Sequence, residues 1–218
     1  MTTTRVSEEE LARTYVCAKR AVVDHGFVDE IAWQSYVRLE HVTPQSFLRE
    51  AAWVVLNTGM RESVVRRLFG AIEEAFSDFD PEQVWLRRRA TRTRALATFG
   101  HPGKIDAIIG IAGAVRKITA PDLADLLLDP EPFLTSLPYV GPVTWRHLAK
   151  NLGAPTAKPD RHLQRFTERV GRSSVDELCG EISNWLGDPV SVVDVVLWRW
   201  SVLGSSACGP NCHPVTVF

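Results

Sequence analysis

The sequence predicts an all-α fold, on three observations. Apolar residues recur at three- and four-residue spacings along most of the chain, no strand-type alternation of any length appears before the C-terminal tail, and Pro, Gly, Asn and Asp interrupt the pattern at short intervals. About ten helices with short connections and no internal repeat follow from this. At 218 residues and 45% hydrophobic, the chain can bury a good core, as one large domain or two small ones.

Each element has its own signals. Residues 7–25 begin with Ser7 and three glutamates, which fits an N-cap with Glu10 as its capping-box partner, and Gly26 ends the segment. Residues 30–39 carry Trp33 and Tyr36 three apart on one helical face, and that spacing assigns the pair to a core-facing stripe. Thr43-Pro44 offers an N-cap with proline at the first helical position. Residues 47–56 are apolar on most sides, so this helix is expected to be the central, buried one. Asn57-Thr58-Gly59 is a turn signal, after which a helix runs from about Met60 towards Phe76 with Val64, Val65, Leu68, Phe69, Ile72 and Ala75 inward.

Pro81 opens a segment holding Arg87, Arg88, Arg89, Arg92 and Arg94, which suits phosphate contact or a solvated helix flank equally. An amphipathic helix is expected over 104–117, with Ile105, Ile108, Ile109, Ala112 and Val115 on its apolar side, and a short one over 121–128 that Pro130 and Pro132 break. A brief helix over 133–137 leads into the reversal Pro138-Tyr139-Val140-Gly141-Pro142, and a second helix follows over 143–152. Asp160 precedes a helix whose apolar face is Leu163, Phe166 and Val170, so it suits an N-cap. Residues 174–204 hold two more apolar helices, and 205–218 read as an irregular tail.

The charge balance is nearly even, with 25 basic against 26 acidic residues, yet residues 84–172 hold 15 basic residues and seven acidic ones. One basic face opposite an acidic remainder suits a polyanion partner, and a solvated helix face fits the same count. Cys17, Cys179, Cys208 and Cys212 are scattered, and the opening MTTTRVSEEEL has no apolar core of a signal peptide. The expectation is a monomeric cytoplasmic protein without a disulfide framework or membrane partner, since no apolar run approaches a membrane span.

A tight reversal between two helices leaves the backbone N–H groups at the start of the second one unpaired, where they form a positive pocket for a phosphate oxygen. Arg146, Lys150 and Asn151 follow it and are expected to add charge and donors. Contacts of this kind position a protein on a polynucleotide without reading its sequence.

LPYVGPVTW, with Asp160 in KPDRHLQRF seventeen residues after Val143, resembles the helix-hairpin-helix and Gly/Pro-rich loop with aspartate that define the endonuclease III and alkylpurine glycosylase superfamily of DNA repair enzymes. Leu137, Pro138, Val140, Gly141, Asp160 and His162 carry the match, and LNTGMRESVV and GKIDAI extend it over about residues 47–169. The resemblance implies two helical lobes with Asp160 in a cleft between them. One lobe is a helical barrel, residues 40–152, with the hairpin at about 133–152; the other is formed by 1–39 with 153–218. It further implies double-stranded DNA as partner, with nucleoid association in a bacterium, and contacts from Pro138, Tyr139, Val140, Gly141, Val143, Thr144, Arg146, Lys150, Arg161 and His162.

Three departures bear on mechanism. Members that also cut the strand carry a lysine where this chain has Val143, and valine cannot form a Schiff base, so a monofunctional glycosylase using water is expected. A bifunctional lyase with Lys150 or Lys158 displaced into that role is an alternative, and a non-catalytic hairpin module with Asp160 only as a cap is another. The iron-sulfur branch ends in four cysteines at fixed spacing, whereas this tail has Cys208, Cys212 and His213, so no cluster and no other cofactor is expected, a structural monovalent cation at the hairpin excepted. Tyr139 stands at the first hairpin glycine.

In such an enzyme a damaged or modified base is flipped out of the duplex and a side chain fills the gap, for which the resemblance implies Asn57, Met60 and Arg61. Asp160 is then the catalytic carboxylate, stabilising the oxocarbenium-like sugar and orienting or deprotonating the attacking water. Trp33, Tyr36, Trp53 and Trp145 are candidate walls of the base pocket, and aromatic faces favour electron-poor or cationic bases such as alkylated purines.

Overall fold

A computed structural model describes residues 5–204, and among them the chain forms 13 α-helices and two short 3-10 turns with no strand. In chain order the helices are α1 (Glu8–Asp24), α2 (Val28–Tyr36), α3 (Pro44–Asn57), α4 (Glu62–Ala75), α5 (Pro81–Leu86), α6 (Arg88–Thr98), α7 (Pro102–Val115), α8 (Ala120–Leu126), α9 (Pro130–Thr135), α10 (Thr144–Asn151), α11 (Arg161–Arg169), α12 (Val175–Leu186) and α13 (Val190–Leu203). Among the described residues no helix is long and apolar enough to cross a membrane. The chain divides into two units, a central one of Arg38–Ala154 and a terminal one of Met1–Val37 with Pro155–Phe218.

In the central unit α3 packs against α4, α7 and α10, and Phe47, Leu48, Ala51, Ala52, Val54, Val55 and Leu56 are buried along it. Its start is a reciprocal cap, in which Thr43 Oγ1 accepts from the Ser46 N–H and Ser46 Oγ accepts from the Thr43 N–H. Helix α7 is buried on most sides instead of being amphipathic, and it includes Lys104 at 2% exposure among Ile105, Ile108, Ile111 and Val115. Pro130 and Pro132 lie in the first turn of α9, where proline costs no hydrogen bond, so they begin a helix where a break was expected. The arginine segment is two helices, with the chain bending at Arg87 between α5 and α6.

The path out of α10 depends on one glycine. Gly153 has φ +99°, and a β-carbon there would lie 3.0 Å from the backbone N, Cα and C of Arg38. Both the left-handed backbone and the close approach exclude a side chain. Gly153→Ala is expected to lower stability by about 2 kcal/mol or more, read as a drop in the urea midpoint.

In the terminal unit α13 packs against α1, α2, α11 and α12. Tyr15, Phe166 and Trp200 are its largest fully buried side chains, and Phe166 meets Trp200 edge-on at 5.9 Å. Ser7 caps α1 by accepting the Glu10 N–H at 3.3 Å. Trp33 and Tyr36 do not face this core: they are 40% and 78% exposed, and Ile31 and Gln34 form the buried side of α2. Arg199 instead holds α2 from α13, donating to both Glu30 carboxylate oxygens at 2.6 and 2.9 Å.

Near the start of α12, Glu177 accepts the Ser173 hydroxyl at 2.5 Å and the Ser173 N–H at 2.7 Å, and Arg5 donates to it at 3.0 Å. The Ser173 bonds, followed by Arg5, hold its carboxyl down from the ordinary 4.5 to about 2. A depressed carboxyl stabilises the fold above its unfolded value and loses that contribution as the pH falls through the folded one. The Tm difference between the protein and a Glu177→Gln variant is therefore expected to shrink as pH falls from 4.5 to about 2.

Candidate functional site

The turn between α9 and α10 is set by Leu137, Pro138, Tyr139, Val140 and Gly141. Leu137 and Val140 are buried and anchor it to the central core, while Pro138 and Tyr139 are exposed. The left-handed residue is Tyr139, at φ +68°, and not Gly141. A tyrosine in that conformation carries a strain of roughly 1–2 kcal/mol. Its ring lies edge-on to His101 at 6.2 Å and beside Gly103, which offsets the strain by contact.

Beyond the turn, the Trp145 N–H reaches the Gly141 carbonyl at 3.0 Å. The N–H groups of Gly141, Val143 and Thr144 have no hydrogen-bond acceptor among the described residues. Val143 is the N-terminal flanking residue of α10, 42% exposed, with no side-chain cap. Unpaired donors at the start of a helix can take an anionic oxygen.

Downstream, the expected surface charge divides. Arg146 stacks over the Trp145 ring at 4.9 Å. Lys150 and Asn151 are buried at 6% and 5% exposure, and Asn151 donates to Glu50 Oε2 at 3.2 Å, so neither supplies an outward donor. Burial pushes the Glu50 carboxyl up, against the opposing pull of Arg49 and Asn151.

Asp160 is the N-cap of α11, and one oxygen does the capping. Oδ1 accepts the N–H groups of His162 at 2.9 Å and Leu163 at 3.1 Å, and Oδ2 has no hydrogen-bond partner among the described residues. The backbone entering this cap is also fixed. The Asp160 N–H donates to the Lys158 carbonyl at 2.8 Å, and the Lys158 N–H donates to Oδ2 of Asp194 at 2.7 Å. Asp194 is 2% exposed on α13. Arg161 is exposed and donates through Nε to His162 Nε2 at 3.3 Å.

The loop after α3 is built from beneath by Lys104. Its Nζ donates to the carbonyls of Leu56 and Thr58, each at 2.6 Å, and burial pushes its pKa down. Those carbonyls flank Asn57, whose Nδ2 turns back to the Trp53 carbonyl at 2.9 Å while its buried Oδ1 has no partner among the described residues. Met60 is 41% exposed at the loop's outer edge, and Arg61 is exposed at the start of α4.

The four aromatic candidates are not gathered in either unit. Trp33 and Tyr36 belong to the terminal unit. In the central one, Trp145 is a core residue at 7% exposure, and Trp53 packs edge-on against Phe69 at 5.1 Å with Arg66 over it at 5.5 Å. Cys208, Cys212 and His213 lie outside the described residues. Among the described residues no group of three His, Cys, Asp or Glu side chains could hold a metal ion.

Sequence reasoning gave no role to Lys104 or Asp194. A buried charge in each has a trace in the sequence, as the lone lysine opening GKIDAIIGIA and the lone acid in SVVDVVLW. Comparison with known protein families finds no matching family model, and comparison with curated proteins finds no match.

Proposed function

We propose that this protein is a monofunctional DNA glycosylase, which flips a damaged or modified base out of duplex DNA and hydrolyses its N-glycosidic bond to leave an abasic site. The observation that carries the reading is the division of labour within Asp160. Oδ1 is fixed by two backbone N–H groups, while Oδ2 accepts none among the described residues. A carboxylate oriented by its own helix and still holding a free oxygen can stabilise a sugar cation and orient or deprotonate water.

The α9–turn–α10 segment acts as a helix-hairpin-helix that grips a phosphate through the N–H groups of Gly141, Val143 and Thr144. Met60 is the wedge that enters the gap, because it is the exposed apolar side chain of a loop that Lys104 holds from below. With Val143 at the lyase position, the products are abasic sites and not broken strands.

The test is a panel of duplexes carrying different damaged bases, incubated with the protein and resolved with and without alkali. Strand breaks that appear only after alkali are the expected result. Breaks without alkali, trapped by borohydride, would mark a lyase, and duplex binding without any base loss would leave a binding module.

A further inference from the structure

The turn is continuous with an arginine-lined groove that the proposed reaction does not use. Along α7, Gly103, Asp106, Gly110 and Gly113 fall at spacings of three, four and three, so they share one stripe. A β-carbon at Gly103 would lie 3.4 Å from Tyr139 Oη, one at Gly110 3.3 Å from Pro138 Cγ, and one at Gly113 would run into the Trp85 ring. The stripe thus carries the turn along Gly103 to Gly110 and Trp85 at Gly113 because three of its positions have no side chain.

On the same stripe, Asp106 accepts two bonds from Arg92, at 2.6 and 3.2 Å. Arg88 lies over the Trp85 ring at 5.1 Å and donates to the Trp85 carbonyl at 3.1 Å. A groove of about 380 Å³ runs here, with Trp85, Arg88, Arg89, Arg92, Asp106 and Gly110 among its walls. Arg88, Arg89 and Arg92 are exposed.

We propose that this groove is a second phosphate-backbone site, and that its occupant is the DNA strand held by the turn. The inference rests on the reading of the turn as a DNA grip. Two observations favour it over a solvated helix flank. The groove touches the turn directly at Gly110, and two of its guanidiniums are held in place, Arg92 by a carboxylate and Arg88 by a carbonyl and an indole, so less freedom is lost when a phosphate binds.

The test is the salt dependence of affinity for an undamaged duplex, by fluorescence anisotropy. Variants are Arg88→Gln, Arg89→Gln and Arg92→Gln, singly and combined, with Gly141→Asp to place a negative charge at the turn. Each arginine that meets a phosphate is expected to reduce the slope of log K against log salt by about 0.9 when replaced. A triple variant with the parental slope, beside a Gly141→Asp variant that has lost affinity, overturns the groove and leaves the turn standing. No salt-dependent binding by the parent protein overturns both.

Discussion

Asp160→Asn is expected to slow base release by on the order of 10²–10⁴-fold, the usual weight of a positioned acid or base, while the fold keeps its stability. Asparagine caps a helix about as well as aspartate. Its side-chain oxygen can replace Oδ1 in accepting the His162 and Leu163 N–H groups, while an amide nitrogen replaces Oδ2 and carries no charge to stabilise a sugar cation. Asp160→Ala removes both functions and is expected to cost about 1 kcal/mol of stability as well. The two variants separate the cap from the chemistry when thermal melts are run beside base-release assays. Parental base release by Asp160→Asn, beside a loss of stability in Asp160→Ala, would mean that Asp160 acts only through α11.

Lys104→Met is expected to lower stability by about 2–3 kcal/mol at neutral pH, because the carbonyls of Leu56 and Thr58 lose their shared buried donor. Methionine fills similar space, so the loss is of hydrogen bonds more than of packing. Burial pushes the Lys104 ammonium below its usual 10.5, so the folded state releases this proton before the unfolded chain does. The unfolded state then binds more protons in the interval below 10.5, and this group's contribution to stability rises with pH there. Urea melts across that interval should show the rise in the parent protein and a flatter profile in the variant. Because the same lysine holds the loop that carries Met60, the variant should also release base more slowly on duplexes that it still binds.

Helix boundaries were legible where a cap is written in side chains. Ser7, Thr43 and Asp160 each accept an N–H from the first turn that follows, and each stands before a periodic apolar run. The bend at Arg87 was not legible, since no proline or glycine marks it. Trp33 and Tyr36 misled because helical spacing tells which residues share a face but not which face meets the core.

Within the candidate site, Asp160 stood out as a cap, but the use of a single oxygen is a matter of geometry that residue order cannot carry. Lys104 and Asp194 were hidden for a related reason. An isolated charge near a helix end or within an apolar run reads as solvated until its buried partners are known, here two carbonyls and one backbone N–H. Tyr139 is the reverse case, a departure visible in sequence whose meaning, a left-handed tyrosine lying beside Gly103, needed the backbone.

Free base released from damaged duplexes under single-turnover conditions, quantified for the parent protein and for Asp160→Asn, decides between a glycosylase and a DNA-binding module. The expected result is release of at least one damaged base by the parent, with the strand intact until alkali is added, and its loss in a variant that still binds the same duplex. A variant that releases that base at the parental rate would contradict it, as would a parent that binds every duplex in a broad panel and frees no base.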